Sequence, residues 1–504
     1  MEPFLESDPD KYCRLFEPSN RPANVEEWAR VIVGLVSLTD EMQDDGSRPS
    51  TSDYAIDAGY TYFGQFVDHD LTKDSTSLSS GASLHSFAAT ALEPGEIVNN
   101  QTPQLDLGHL YGNGPFEDQK LYEPNDVRLR VGKPVQSTVE PGGLRSFDIA
   151  LDANGRPLVG DSRAPENIIL RQITAAFARL HNVAVEQWRS AAASQAELFE
   201  RARLQTTWQF QWLVAKDYLA TVLKPSVYRR VFVQGKPEAS WKSFSIPVEF
   251  SVGAMRFGHS MVRDAYLISN QTAVDLDDLL RVGLEDRALD PRFEIDWGRF
   301  FQGAGRGGPA TTAQPIDALI SKGMYKIPLG TLQLFNSGTV PIDIPQLFNS
   351  KTMPSSLTSS TARLSVELRL PLISLLRGIA MRLPSGQAVA DGFGVPKLTD
   401  AELMSDVGRR STRRGAILQE SGLLKATPLW YYVLKESEAR ENGNCLGLTG
   451  SHIVAETIHA ALRYDPNSYM NHPAAKLMPP IWQLASGPQQ LLSLAALFEA
   501  ALEF

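Results

Sequence analysis

The sequence predicts a mainly α protein with little β-structure. Apolar residues recur at helical spacing over 25–38, 167–188, 196–223, 364–381, 400–418, 430–440 and 451–463. Strict polar–apolar alternation, the mark of half-buried strands, is rare. The connections between the periodic segments are long. In a packed protein such loops need a reason, and wrapping a buried group is one.

Taken in order, residues 1–50 read as an irregular arm holding the helix 25–38. The stretch 59–74, GYTYFGQFVDHDLTKD, is too polar for an ordinary core helix and too aromatic for a surface loop. Residues 74–100 are rich in Ser, Ala and Gly and read as a loop. Residues 100–112, NQTPQLDLGHLYG, form a loop entering a short helix. Many Pro, Gly and Asp residues over 123–160 leave room for scattered β pairs at most. A histidine-bearing segment, 248–268, follows the two long amphipathic helices, and 303–314, GAGRGGPATTAQ, is a Gly-rich loop.

A chain of 504 residues could hold two or three domains. Its 43% hydrophobic and 21% charged residues describe an ordinary soluble protein. The net charge of −10 argues against nucleic acid as a partner, because phosphate binding needs a basic face. No apolar run is long enough to span a bilayer. The acidic start, MEPFLESDPDKYC, has no apolar signal region, so the expected location is cytoplasmic, or outside after leaderless export. Cys13 and Cys445 permit one disulfide without implying it.

Five clusters carry candidate chemistry. In a helix over 59–74, Gln65, Asp68 and His69 stand at i, i+3 and i+4 on one face, with Asp70 pointing round the side. In GDSRAPEN, Arg163 and Glu166 precede a long helix. A plain account has Asp161 or Ser162 capping that helix and Glu166 supporting its first turn. In FSVGAMRFGHSMVR, Arg256 and His259 again stand at i and i+3. Thr102, Gln104 and Asp106 lie in a turn ahead of Tyr111-Gly112. In LRLPLISLLRGIAMRLPSG, Ser374 and Arg377 sit on an apolar helix that would otherwise be plain core.

Together these strings resemble the animal-type haem peroxidases of the peroxidase–cyclooxygenase superfamily, the group of myeloperoxidase, lactoperoxidase, peroxidasin and their bacterial relatives. The resemblance runs from about residue 55 to about residue 470 and includes TPLWYYVLKESEAREN over 427–442. It implies one catalytic domain over 1–504, with helices enclosing a buried haem b. His259 would be the axial ligand, with Arg256 and Arg377 facing the propionates. His69 and Arg163 would be the distal pair, beside Gln65. Asp68 and Glu166 would be placed for ester links to the haem. The family methionine after that glutamate is Asn167 here, so a sulfonium link cannot form. The family asparagine that accepts the axial histidine N–H is Ser374. Calcium would be held by Asp70, Thr102, the carbonyl of Gln104 and Asp106. Gly108 stands where the family has a serine, which removes one oxygen ligand.

The implied reaction is reduction of hydrogen peroxide through a ferryl state that oxidises a small-molecule reductant: a phenol, another small aromatic or a halide. His69 would act as base and then acid, and Arg163 would stabilise the departing oxygen. Two rivals stay open. A haem fatty-acid dioxygenase of the same superfamily would carry a tyrosine three residues before the axial histidine, where Arg256 stands. A non-catalytic haem-fold adhesion or carrier module would not need Gln65, His69, Arg163 and His259 together.

Overall fold

The computed structural model describes residues 8–20, 22–44, 46, 56–74, 92–135, 146–241, 243–269, 272–304, 309–325, 339–342, 364–367, 369–405 and 413–501. Its long helices are α1 (Val25–Asp40), α2 (Gly59–Leu71), α3 (Ile168–Trp188), α4 (Gln195–Leu213), α5 (Leu276–Gly283), α6 (Leu370–Ala380), α7 (Leu429–Glu441) and α8 (Leu448–Arg463). Strands pair antiparallel in two-stranded sheets: β1 (Val131–Val135) with β2 (Ser146–Ile149), β3 (Ala265–Leu267) with β4 (Ala273–Asp275), β5 (Thr339–Ile342) with β6 (Leu364–Glu367), and β7 (Ile481–Leu484) with β8 (Gly487–Gln490). The fold is mainly helical, as the periodicity predicts.

Helix α2 is held between an aromatic core and a cavity. At 3.6 residues per turn, Phe63, Phe66 and Val67 share one face and Gln65, Asp68 and His69 the opposite one. Phe66 stacks on Phe177 of α3 at 5.0 Å and meets Phe210 of α4 edge-on at 5.7 Å. Phe63 meets Phe210 at 6.0 Å. These four rings are fully buried, and each contributes about 1.5–3 kcal/mol relative to exposure. The helix has no capping side chain. Instead the carbonyls of Thr311 and Phe300 accept the N–H groups of Ala58 and Gly59, so a distant loop closes its N-terminus.

Several sequence expectations need correction. The span 364–381 is not one helix: β6 occupies its start and α6 begins at Leu370, with Pro371 in the first turn where its missing N–H costs nothing. The span 400–418 divides into helices Asp400–Met404 and Arg414–Glu420, with 406–412 outside the described residues. Beyond Leu213 the chain widens into a π-turn, Val214–Tyr218, before the short helix Leu219–Val222. Most of the loop over 74–100 (residues 75–91) and part of 303–314 (residues 305–308) also lie outside the described residues.

The N-terminal arm is part of the core. Tyr12, Cys13 and Leu15 are buried, and Cys13 N–H donates to the Ile246 carbonyl at 3.0 Å. The guanidinium of Arg14, also buried, donates to the Met381 carbonyl at 2.7 Å. Cys13 and Cys445 are both free thiols. No helix among the described residues is long and apolar enough to cross a membrane.

Candidate active site

A cavity of about 370 Å³ lies between α2, α6 and the segment that carries His259, within the size range of cofactor sites (about 300–1,000 Å³). Gln65, Asp68, His69, Arg163, Glu166, Arg256, His259 and Arg377 all line it. Residues about 100 to 300 positions apart in sequence thus converge on one space.

On one wall, Asn167, Gln65 and Glu166 form a chain of hydrogen bonds that leads to His69. The Asn167 amide donates to Gln65 Oε1 at 3.0 Å. Gln65 Nε2 donates to Glu166 Oε2 at 3.0 Å, and that oxygen lies 3.5 Å from His69 Nε2. Burial pushes the Glu166 carboxyl up to about 7, against the pull of Arg163. Burial, helped by the Arg163 charge, holds the His69 imidazole well below its ordinary value, so it is neutral near pH 7 and open to a proton. Asp68 is shifted upward by burial, with Arg163 and Arg256 opposing.

Arg163 is fixed at its base. Its Nε and Nη2 donate to Asp161 at 3.1 and 2.9 Å, and Nη2 also donates to the His69 carbonyl at 3.0 Å. Burial opposes the charge on Asp161, but the Arg163 hydrogen bonds and charge, with Lys73 at 3.2 Å, hold its carboxyl below the usual range. Asp161 therefore does not cap the following helix. Asn167 does: its side chain accepts the Leu170 N–H at 2.8 Å while its amide nitrogen reaches Gln65. One residue joins the start of α3 to α2.

The opposite wall is a π-turn, Glu249–Gly253, followed by a 3₁₀ helix, Ala254–Met261. With three residues per turn, Arg256 and His259 eclipse each other and face the cavity together. Burial, then the Arg256 charge, pushes the His259 imidazole down to about 3, so it is a neutral base available to a metal. The Trp430 indole of α7 donates to the Arg256 carbonyl at 3.0 Å and its ring meets His259 edge-on at 6.1 Å. Ser374 does not take the place expected of it. Its hydroxyl accepts Arg256 Nη1 at 3.3 Å, and His259 Nδ1 is buried with no partner among the described residues. The serine oxygen is taken by the arginine instead. Arg377 faces the cavity and pairs with Asp74.

The remaining expected ligands lie elsewhere. At 100° per residue, Asp70 falls on the Phe63–Phe66 side of α2, away from the cavity. It meets the turn bearing Thr102, Gln104 and Asp106.

Sequence reasoning missed several lining residues. Tyr12 comes from the arm, where nothing marks it; its hydroxyl donates to Asn99 Oδ1 at 3.2 Å. Tyr60, Tyr62 and Tyr218 line the cavity as well. Leu276, Leu280 and Leu284 give it an apolar arm; their i, i+4, i+8 spacing was the available signal.

Residues 82–327 match the family profile described as Animal haem peroxidase. Peroxidase mlt-7 of Caenorhabditis elegans is 29% identical over 182 residues, covering 35% of this chain and 24% of that protein. Thyroid peroxidase of Rattus norvegicus is 26% identical over 221 residues, covering 40% of this chain and 23% of that protein. The match thus spans about a quarter of each relative's length. Among solved structures, peroxidase A of Dictyostelium discoideum superposes over 94% of this chain and 89% of its own, with TM-score 0.57 and 17% identity. The Oryza sativa fatty acid alpha-dioxygenase superposes over 98% of this chain and 79% of its own, with TM-score 0.63 and 13% identity. The sequence match covers Arg163, Glu166, Arg256 and His259, and the fold is shared by peroxidase and dioxygenase alike: over residues 82–327 this chain is similar to the animal haem peroxidase family.

Proposed function

We propose that the chain binds one haem b in this cavity and reduces hydrogen peroxide at the expense of a small phenol, another small aromatic or a halide. The observation that carries this is the pairing of two walls. His69, Gln65 and Arg163 line one side of the cavity, and His259 and Arg256 line the other. The donor set fits the group. His259 offers a neutral imidazole to iron, Arg256 and Arg377 are cavity-lining guanidiniums suited to the propionates, and most of the cavity lining is apolar.

When bound, haem supplies the two-electron reduction of peroxide and passes the oxidising power to the reductant. The protein moves protons and orders charge. His69, neutral near pH 7, accepts the proton of incoming peroxide and returns it to the oxygen that leaves. Glu166 Oε2, 3.5 Å from that imidazole, orients it and carries its own proton near neutrality. Arg163, anchored by Asp161, presents the rest of its fork to the departing oxygen. Gln65 ties His69's neighbour Glu166 to the start of α3 through Asn167.

The test is reconstitution with haem, followed by a visible spectrum and guaiacol oxidation with peroxide. We expect a stoichiometric Soret band and turnover. His259→Ala should abolish the band, and His69→Ala should keep it while turnover falls by several orders of magnitude. An unchanged spectrum in His259→Ala overturns the assignment.

A second use of the cavity is fatty-acid oxygenation, favoured by the apolar arm of Leu276, Leu280 and Leu284. Arg256 stands where the sequence resemblance places the oxygenase tyrosine, which weighs against it. Oxygen uptake with palmitate and no peroxide would reverse the order of the two.

A further inference from the structure

The side of α2 that faces away from the cavity holds a second polar cluster. Asp70 is fully buried there. Its Oδ1 accepts from His109 Nδ1 at 2.8 Å and its Oδ2 accepts the Leu107 N–H at 3.1 Å. His109 is 2% exposed, and its ring meets Phe66 edge-on at 4.3 Å. Beside it, Asp106 Oδ1 accepts the Gly108 N–H at 2.8 Å and Oδ2 accepts the Thr102 hydroxyl at 2.9 Å.

These residues do not fit the calcium that family resemblance implies. Calcium needs six to eight oxygens turned toward one point, at about 2.3–2.6 Å. Here all four carboxylate oxygens are turned onto protein donors. Thr102 points a proton, not a lone pair, at Asp106. Gly108 supplies no side-chain oxygen, and a Cβ there would lie 3.0 Å from Asp106 Oδ1, so a serine would crowd the very carboxylate it should assist. The nearest added group is an imidazole nitrogen, which a hard cation does not favour.

We propose that His109 stands in for the cation: the Asp70–His109 pair is a metal-free clasp that fastens the loop 100–112 to the helix bearing His69. The same carboxylate holds Leu107 in a left-handed conformation, φ +60°, which costs a residue with a Cβ about 1 kcal/mol and needs a fixed partner. One loop thus gives Asp70 both a side-chain donor and a backbone donor. Asp70 is the next residue after His69, so the clasp positions the distal histidine without touching the cavity.

The clasp requires no peroxide chemistry, and its test reads metal content and stability, so its failure is distinguishable from failure of the peroxidase reading. The full chain is dialysed against chelator, re-equilibrated with millimolar calcium chloride, desalted and analysed for metals. We expect well under one calcium per chain and the same melting temperature in calcium and in chelator. His109→Ala should lower the melting temperature by several degrees in both buffers. His109→Gln, whose amide can still donate to Asp70, should recover part of the loss. One retained calcium per chain whose removal lowers the melting temperature overturns the proposal. So does a His109→Ala protein as stable as the parent. If His109→Ala does not fold, the metal analysis of the parent and the melting of His109→Gln decide the matter.

Discussion

Arg256 donates to the Ser374 hydroxyl at 3.3 Å, and the imidazole one 3₁₀ turn further on, His259, keeps a buried Nδ1 with no acceptor among the described residues. An acceptor on that nitrogen would make the ring a stronger donor to iron. Ser374→Asn adds an amide oxygen on the same helix face. In the haem-reconstituted protein this variant should lower the iron(III)/iron(II) potential, read by spectroelectrochemical titration. Ser374→Ala should leave the potential near the parent value. If both variants titrate like the parent, Ser374 does not bear on His259.

The buried groups give stability two opposing pH arms. Glu436 is fully buried, and burial pushes it up to about 7 despite the Thr449 hydroxyl and the N–H groups of Thr449 and Gly450. Between the ordinary carboxyl value and about 7 the folded chain holds a proton the unfolded chain has lost, so stability falls as pH rises through that window. His181 is the reverse case. Burial pushes its imidazole down to about 4, against the Val127 carbonyl that accepts its N–H at 3.0 Å. Stability is therefore lost as pH falls from the ordinary histidine value towards about 4. Each arm is worth roughly 1–3 kcal/mol. The two windows overlap and partly cancel, so denaturant titrations should show Glu436→Gln with a more positive slope of stability against pH than the parent, from the ordinary carboxyl value to about 7. A slope identical to the parent across that window removes Glu436 from the account.

The aromatic cluster behind α2 sets a packing prediction. Phe177 lies 5.0 Å from Phe66 and 5.8 Å from Phe210, with no exposure. Phe177→Ala should cost about 3–5 kcal/mol in chemical denaturation, because these flat rings cannot collapse onto the hole. Phe116 is 59% exposed, and Phe116→Ala should fall within about 0.5 kcal/mol of the parent. Equal effects from the two would show that the cluster is not tightly packed.

Local order made part of the site legible in the sequence. The i, i+3, i+4 pattern of Gln65, Asp68 and His69 needs only a helix, and α2 is one. The pairing of Arg256 with His259 survives although the segment is 3₁₀, because i and i+3 coincide there too. What failed was long-range. No spacing rule says that Ser374 answers Arg256, that Asp74 meets Arg377, or that Tyr12 folds back from the arm into the cavity. The cap was misread for a related reason. Asp161 has the right chemistry for a cap, but a half-buried arginine two residues on claims its carboxylate, and Asn167 takes the role. Nothing local in the sequence marks His109 as Asp70's partner either.

The last prediction concerns Asp68 and Glu166 as points of covalent attachment. Both carboxyls line the cavity, and both are shifted upward by burial. Forming an ester to a haem methyl removes two electrons from that carbon, and peroxide is the oxidant that takes them. Freshly reconstituted protein should therefore release its haem into acid acetone, and peroxide-treated protein should retain it. Mass spectrometry of the haem peptide should find at most these two links, because Asn167 offers no sulfur. Asp68→Val should leave one link through Glu166, and the double variant with Glu166→Gln none. Gln65 adds a discriminating case. Its Nε2 donates to Glu166 Oε2 at 3.0 Å and holds that carboxyl in place. Gln65→Ala should slow attachment through Glu166 and leave the Asp68 link unaffected. Haem that extracts completely from peroxide-treated parent protein would show that neither carboxyl reaches a methyl. The resemblance to the covalent-haem branch would then fail, while the peroxidase reading would survive.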